Sequence, residues 1–181
     1  MVDIYLVRHG EAASAWGEDP DPGLSHLGRQ QALQARDELE RYQSMQLVSS
    51  PLRRARETAQ PLVTTLRQTL AIDEAFREIP SPVEIEGRQA WLQGFMRQDW
   101  DEQPPEILAW RERAWSALFE FTSHTAIFTH FMIINAICSR LMDSPATVCC
   151  VPDNGSITRL SLDEESLQLV AIGRQLQTTV G

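Results

Sequence analysis

Three short apolar runs constrain the fold of this chain more than any other feature. Val2–Val7, Gln46–Ser49 and Ala126–Thr129 each have the length and the aliphatic, β-branched content of a buried strand. Just past each carboxyl end stands a basic or imidazole side chain, namely Arg8 with His9, then Arg54, then His130. Helical or loop sequence follows in every case. Strands alternating with helices predict an α/β protein, a three-layer sandwich with a mostly parallel central sheet flanked by helices. In open sheets of that kind ligands bind beyond the carboxyl ends of the strands, so the three strand ends are expected to meet at one site.

The intervening sequence fits this plan. Gly17–Gly23, with Pro20, Pro22 and three acidic residues, has loop composition, and Ser25 is placed to cap a helix running to about Tyr42. Ser50 followed by Pro51 reads as the start of a helix to about Leu66, because proline is tolerated in a first turn. Thr69–Ile72 reads as a third strand, and the pattern is irregular through Ile79, Pro80, Ser81 and Pro82. Two helices are expected next, one at about Gly87–Gln98 and one starting after Pro104 and Pro105 and running to about Thr122, then one at Phe131–Met142. Ser156–Leu162 with Leu167–Ile172 reads as a terminal hairpin. At 181 residues without a linker or repeat, the chain is expected to be one domain over 1–181. The segment at about 79–124 is expected to be a helical insertion acting as a substrate lid.

Charge narrows the ligand. The net charge is −9, and all 16 basic residues are arginines. An acidic surface repels nucleic acid and anionic lipid, so neither is an expected partner. An anionic ligand needs a local basic pocket, for which the planar, permanently charged guanidinium is suited. Cys138, Cys149 and Cys150 make neither a disulfide framework nor a zinc site, which points to a reducing compartment. The N-terminal apolar stretch is too short and too charged for a signal-peptide core, and Ala126–Met142 is interrupted by His130, Asn135 and Arg140. A cytoplasmic location is therefore expected. No helical pair of histidines exists and His26 and His124 lie far from any carboxylate cluster, so no metal and no cofactor are expected.

Two arginines and two imidazoles suit a phosphoryl group, whose transfer spreads negative charge over equatorial oxygens. A histidine can take the group onto nitrogen and release it to water. Gly10 permits a tight turn and close backbone approach, and helices starting near Pro51 and Phe131 can aim free amides at an anion. Each residue also has a plain structural use: His130 as a core histidine, Arg53, Arg54 and Arg56 as a solvated helix face. Trp91, Trp100, Trp110 and Trp115 suit either a core or an aromatic pocket, core being the commoner use.

The ordered set Arg8-His9-Gly10-Glu11, Leu24-Ser25-His26-Leu27-Gly28 with Gln31 and Ala32, Ser50-Pro51-Leu52-Arg53-Arg54-Ala55 with Thr58 and Ala59, His130 after a strand, and Asn154-Gly155-Ser156-Ile157 resembles the histidine phosphatase superfamily, also called the phosphoglycerate mutase-like family. The resemblance implies that His9 becomes phosphorylated while Arg8, Arg54 and His130 hold the phosphate. It implies Glu78, in Phe76-Arg77-Glu78, as the proton donor, with Glu84 or Glu86 as alternatives because Pro80 and Pro82 replace the family's usual glycine. Around the second histidine, Thr129 and Phe131 stand where small residues are usual.

Three functions follow as expectations. The first is a metal-independent phosphatase acting on a phosphomonoester, or on phosphohistidine in a phosphoprotein. The second is mutase-type phosphoryl transfer, disfavoured because Ile79-Pro80-Ser81-Pro82-Val83 stands in place of the mutases' Arg-x-Tyr-Gly-like stretch. The third is a catalytically weak protein that binds phosphate or a phosphoprotein.

Overall fold

A computed structural model describes residues 1–14, 19–164 and 166–176. Its elements are β1 (Val2–Arg8), α1 (His26–Leu39), β2 (Gln46–Ser49), α2 (Arg53–Leu66), β3 (Leu70–Ile72), α3 (Arg88–Phe95), α4 (Pro105–Ala117), β4 (Thr125–Thr129), α5 (Phe131–Leu141), β5 (Ile157–Asp163) and β6 (Ser166–Ala171). Single 3-10 turns at Glu74–Phe76, Ile85–Gly87, Trp100–Glu102 and Leu118–Glu120 complete the described set.

Six strands form one sheet in the order β3-β2-β4-β1-β5-β6. The first four run parallel, whereas β5 is antiparallel to β1 and β6 antiparallel to β5. Alternation along the strands builds the layers, since successive side chains point to opposite faces. Tyr5, Val7, Leu47, Ala126 and Phe128 pack under α1 and α2 with Ala35, Leu39, Ala55, Ala59 and Leu62. Their neighbours Ile4, Leu6, Val48 and Ile127 face the other way, onto Leu92, Trp110, Met132, Ile133 and Ala136 of α3, α4 and α5. The α/β sandwich expected from the sequence is therefore observed, with its mostly parallel sheet and terminal hairpin.

The element ends shift for local reasons. Ser25 caps α1, its hydroxyl accepting the N–H of Gly28 at 3.0 Å, but the helix stops at Leu39 rather than Tyr42. The second helix starts at Arg53, not Pro51, because Leu52 is still extended and the Asp21 carboxylate takes the Arg53 N–H at 2.8 Å. The Gly17–Gly23 loop lies partly outside the described residues, at Gly17 and Glu18. Trp100 and Trp110 are buried in the core, with Trp91 and Trp115 packed against it. No described helix is long and apolar enough to cross a membrane.

Candidate active site

Strand register brings the site together. Val7 and Ser49 both pair with Phe128, so β1, β4 and β2 end in one row. The ladder extends one residue further on each side, with the His9 N–H donating to Thr129 O at 2.9 Å and the Ser50 N–H to Phe128 O at 2.9 Å. Arg8, His9, Ser50 and His130 thus leave the sheet side by side, as expected for the carboxyl edge of parallel strands.

The His9 ring is held in one tautomer. Nδ1 lies 2.7 Å from the Gly10 carbonyl, which can only accept, so Nδ1 carries the proton. Nε2 then presents a lone pair, and Arg54 Nε–H donates to it at 3.1 Å. Burial, then the Arg54 and Arg8 charges, hold the His9 pKa well below the ordinary histidine value. A neutral imidazole with an available Nε2 results.

Backbone geometry supports this ring. Gly10 donates its N–H to Thr58 Oγ1 at 3.0 Å, and Thr58 Oγ1 donates to Arg54 O one helical turn back at 2.7 Å. A Cβ on Gly10 would stand 2.4 Å from Gly28 O, so the loop can pass the start of α1 only without a side chain. Asn154 donates its amide to His9 O at 3.0 Å, and Gly155, at φ +71°, donates its N–H to Arg8 O at 3.0 Å.

Arg8 Nη1 donates to Pro152 O at 2.7 Å, and its guanidinium stacks 5.1 Å above the Phe131 ring. Its Nε is buried without a partner among the described residues. The His130 ring meets the His9 ring edge-on, centroids 5.2 Å apart, and its Nε2 is 2.6 Å from Ser50 Oγ. Burial, then the Arg54 charge, also pushes the His130 pKa well down. Arg54 faces inward and is 8% exposed, whereas Arg53 turns outward to Glu57 at 2.7 Å.

Glu78 is 5% exposed, and burial raises its pKa despite an Ile79 N–H donated to its Oε1 at 3.0 Å and the nearby Arg54 charge. The backbone on both sides of it is tied to the 79–124 segment. Trp110 Nε1–H donates to Arg77 O at 2.9 Å, and Arg88 Nη2–H to Ile79 O at 3.2 Å. Glu78 and Arg54 line a cleft of about 270 Å³ whose walls include Ala12, Pro22, Ile85, Arg88, Trp110 and Arg113. Glu84 and Glu86 are exposed and stand outside that lining.

All five candidates, Arg8, His9, Arg54, Glu78 and His130, therefore converge. Sequence reasoning missed Arg88, whose charge acts on Arg54, Glu78 and His130. It also missed the supporting contacts of Thr58, Pro152 and Asn154. Thr58 and Asn154 carried a signal, both standing in the motif set, and Thr58 also one helical turn after Arg54. Among the described residues, no three His, Cys, Asp or Glu side chains are grouped to hold a metal ion.

Comparison with known proteins agrees with this geometry. Over 79 residues the chain is 39% identical to a glucosyl-3-phosphoglycerate phosphatase of Mycolicibacterium vanbaalenii, covering 41% of this chain and 35% of that one. Over 95 residues it is 32% identical to a Salmonella paratyphi C protein named "Probable phosphoglycerate mutase GpmB", covering 49% and 43%. The chain thus matches less than half the length of either relative. In fold it is similar to the phosphoserine phosphatase of Entamoeba histolytica solved with 3-phosphoglyceric acid, with a TM-score of 0.77, 20% identity and coverage of 97% and 98%. The profile of the histidine phosphatase superfamily (branch 1) matches residues 4–175, and the chain belongs to that superfamily.

Proposed function

We propose that the chain is a phosphatase that hydrolyses a small phosphomonoester through a phosphohistidine at His9. The observation that carries the reading is the fixed His9 tautomer, with a lone pair on Nε2 beside the Arg54 guanidinium. In the first step Nε2 attacks phosphorus, the P–O bond to the leaving group breaks, and Glu78 gives that oxygen its proton. In the second step water attacks phosphorus, Glu78 takes a water proton, and the N–P bond breaks to release phosphate. The buried carboxyl with a raised pKa suits the acid role, and once ionised it suits the base role. Arg8, Arg54 and His130 hold the equatorial oxygens as charge moves.

Substrate size follows from the cleft. A volume of about 270 Å³ fits a compact phosphorylated metabolite better than a folded phosphoprotein. Arg88 and Arg113 on its walls can meet a second anionic group, beside Asp19, Glu74 and Glu106, which line the same cleft. We read the 79–124 segment as the cover over this cleft and residues 1–181 as one catalytic domain. The likeness to the Salmonella protein supports a mutase as the second reading; such an enzyme returns the phosphoryl group to substrate instead of water.

The test is phosphate release from a phosphomonoester panel by wild type and His9→Ala, with acid-labile phosphohistidine trapping. Wild type should turn over with chelator present and label on His9. His9→Ala should lose at least about 10³-fold in kcat. Turnover in His9→Ala would sink the mechanism, and label moving between positions of one substrate would favour the mutase.

A further inference from the structure

Two histidines in the site use opposite nitrogens. His9 donates from Nδ1 to a carbonyl and turns an unprotonated Nε2 to the Arg54 guanidinium. His130 is tied at Nε2, 2.6 Å from Ser50 Oγ, whereas its Nδ1 is buried and has no hydrogen-bond partner among the described residues. Both Ser50 and His130 are wholly buried, so each polar atom there must be satisfied within the site.

Ser50 decides where the His130 proton sits. Its oxygen already accepts the Leu52 N–H at 3.2 Å, and among the described residues its own proton has one acceptor in reach, His130 Nε2. Were Nε2 protonated instead, the serine proton would be buried without an acceptor. The hydroxyl therefore donates, and the neutral ring carries its proton on Nδ1. Ring neutrality is helped by burial and by the Arg54 charge, which disfavour an imidazolium.

We propose that Ser50 is a positioning residue whose hydroxyl locks His130 as the Nδ1–H tautomer, so that its unpartnered N–H is the donor to a phosphoryl oxygen. The proposal rests on the phosphatase reading of the site. It explains how the same neutral tautomer serves two tasks. His9 shows its lone pair to phosphorus, and His130 shows its N–H to an oxygen. In the other tautomer His130 would repel the anion it is meant to hold.

Histidine-selective ¹⁵N NMR on the full chain near neutral pH tests this, with the His130 signals identified by their loss in His130→Gln. The bare nitrogen of His130 should be Nε2, and inorganic phosphate or vanadate should shift the Nδ1–H proton downfield. Ser50→Ala should lose the single tautomer and weaken phosphate affinity and kcat by roughly ten-fold each, with Ser50→Thr recovering most of both. A proton on Nε2 in wild type overturns the proposal. So does a Ser50→Ala variant with unchanged tautomer and phosphate affinity, even if it is less stable. If Ser50→Ala does not fold, the wild-type spectrum and its phosphate response decide alone. Turnover in His9→Ala would defeat the phosphohistidine reading while leaving the tautomer result in place, so the two failures are separable.

Discussion

The strand-end cluster and the 79–124 segment solve the same problem, holding a side chain still, by different means. His9, Ser50 and His130 continue a sheet ladder whose register fixes them to within one residue of each other. Glu78 instead follows a 3-10 turn and is steadied by side chains reaching in from later sequence, Trp110 to the carbonyl before it and Arg88 to the carbonyl after it. A ladder depends on backbone and tolerates varied side chains. A clamp made of two side chains can be altered by one substitution. In the proposed mechanism phosphate binding is thus anchored in the rigid part, while proton transfer and substrate fit are assigned to the clamped part.

Glu78→Gln separates the two regions most sharply. The amide keeps the shape of the site but gives up the acid. For an alkyl phosphate, whose leaving oxygen needs a proton, kcat should fall about 10²–10⁴-fold. With p-nitrophenyl phosphate, whose phenolate leaves unprotonated, the first step should survive, and the loss should be clearly smaller. Equal losses on both substrates would remove Glu78 from the acid role. Inorganic phosphate affinity should barely change, because the groups assigned to phosphate lie on β1, on α2 and at the start of α5, outside the clamp.

The same division explains what could be read from sequence. Val2–Val7, Gln46–Ser49 and Ala126–Thr129 announce themselves by period and composition, and a polar residue just past a parallel strand has few places to go. Arg8, His9 and His130 were legible for that reason. Arg88 was not, because it follows the Ile85–Gly87 turn, where no period relates its side chain to Ile79 O. Trp110 was legible as core but not as a donor to Arg77 O, since helical spacing reports burial and says nothing of where an indole N–H points. Arg53 and Arg54 illustrate the limit: adjacent in sequence, one faces Glu57 and solvent, the other His9. Only the resemblance chose between them.

Trp110→Phe probes the clamp directly. It keeps the aromatic packing and removes the N–H that satisfies Arg77 O. The part-buried carbonyl left behind should cost about 1 kcal/mol in urea unfolding. A looser Glu78 should lower kcat on an alkyl phosphate a few-fold without altering inorganic phosphate affinity. A change in phosphate affinity instead would mean that the two regions are not independent.

The smallest effect concerns the sheet edge and is read from stability. His9 and His130 are both held neutral, with pKa values depressed chiefly by burial. Below the ordinary histidine value of about 6.5 the unfolded chain takes up protons that the folded chain refuses, so stability falls as pH falls through that window. Each refused proton contributes a slope of about 1.4 kcal/mol per pH unit. His130→Gln should therefore flatten the pH dependence of unfolding between about pH 6.5 and 5.5 by roughly that amount. Inorganic phosphate, by favouring nearby positive charge, should flatten the wild-type curve in the same direction. Denaturant titrations at several pH values measure both. Should His130→Gln leave the slope untouched, His130 is protonated in the free protein, and it would meet phosphate as a cation instead of a neutral donor.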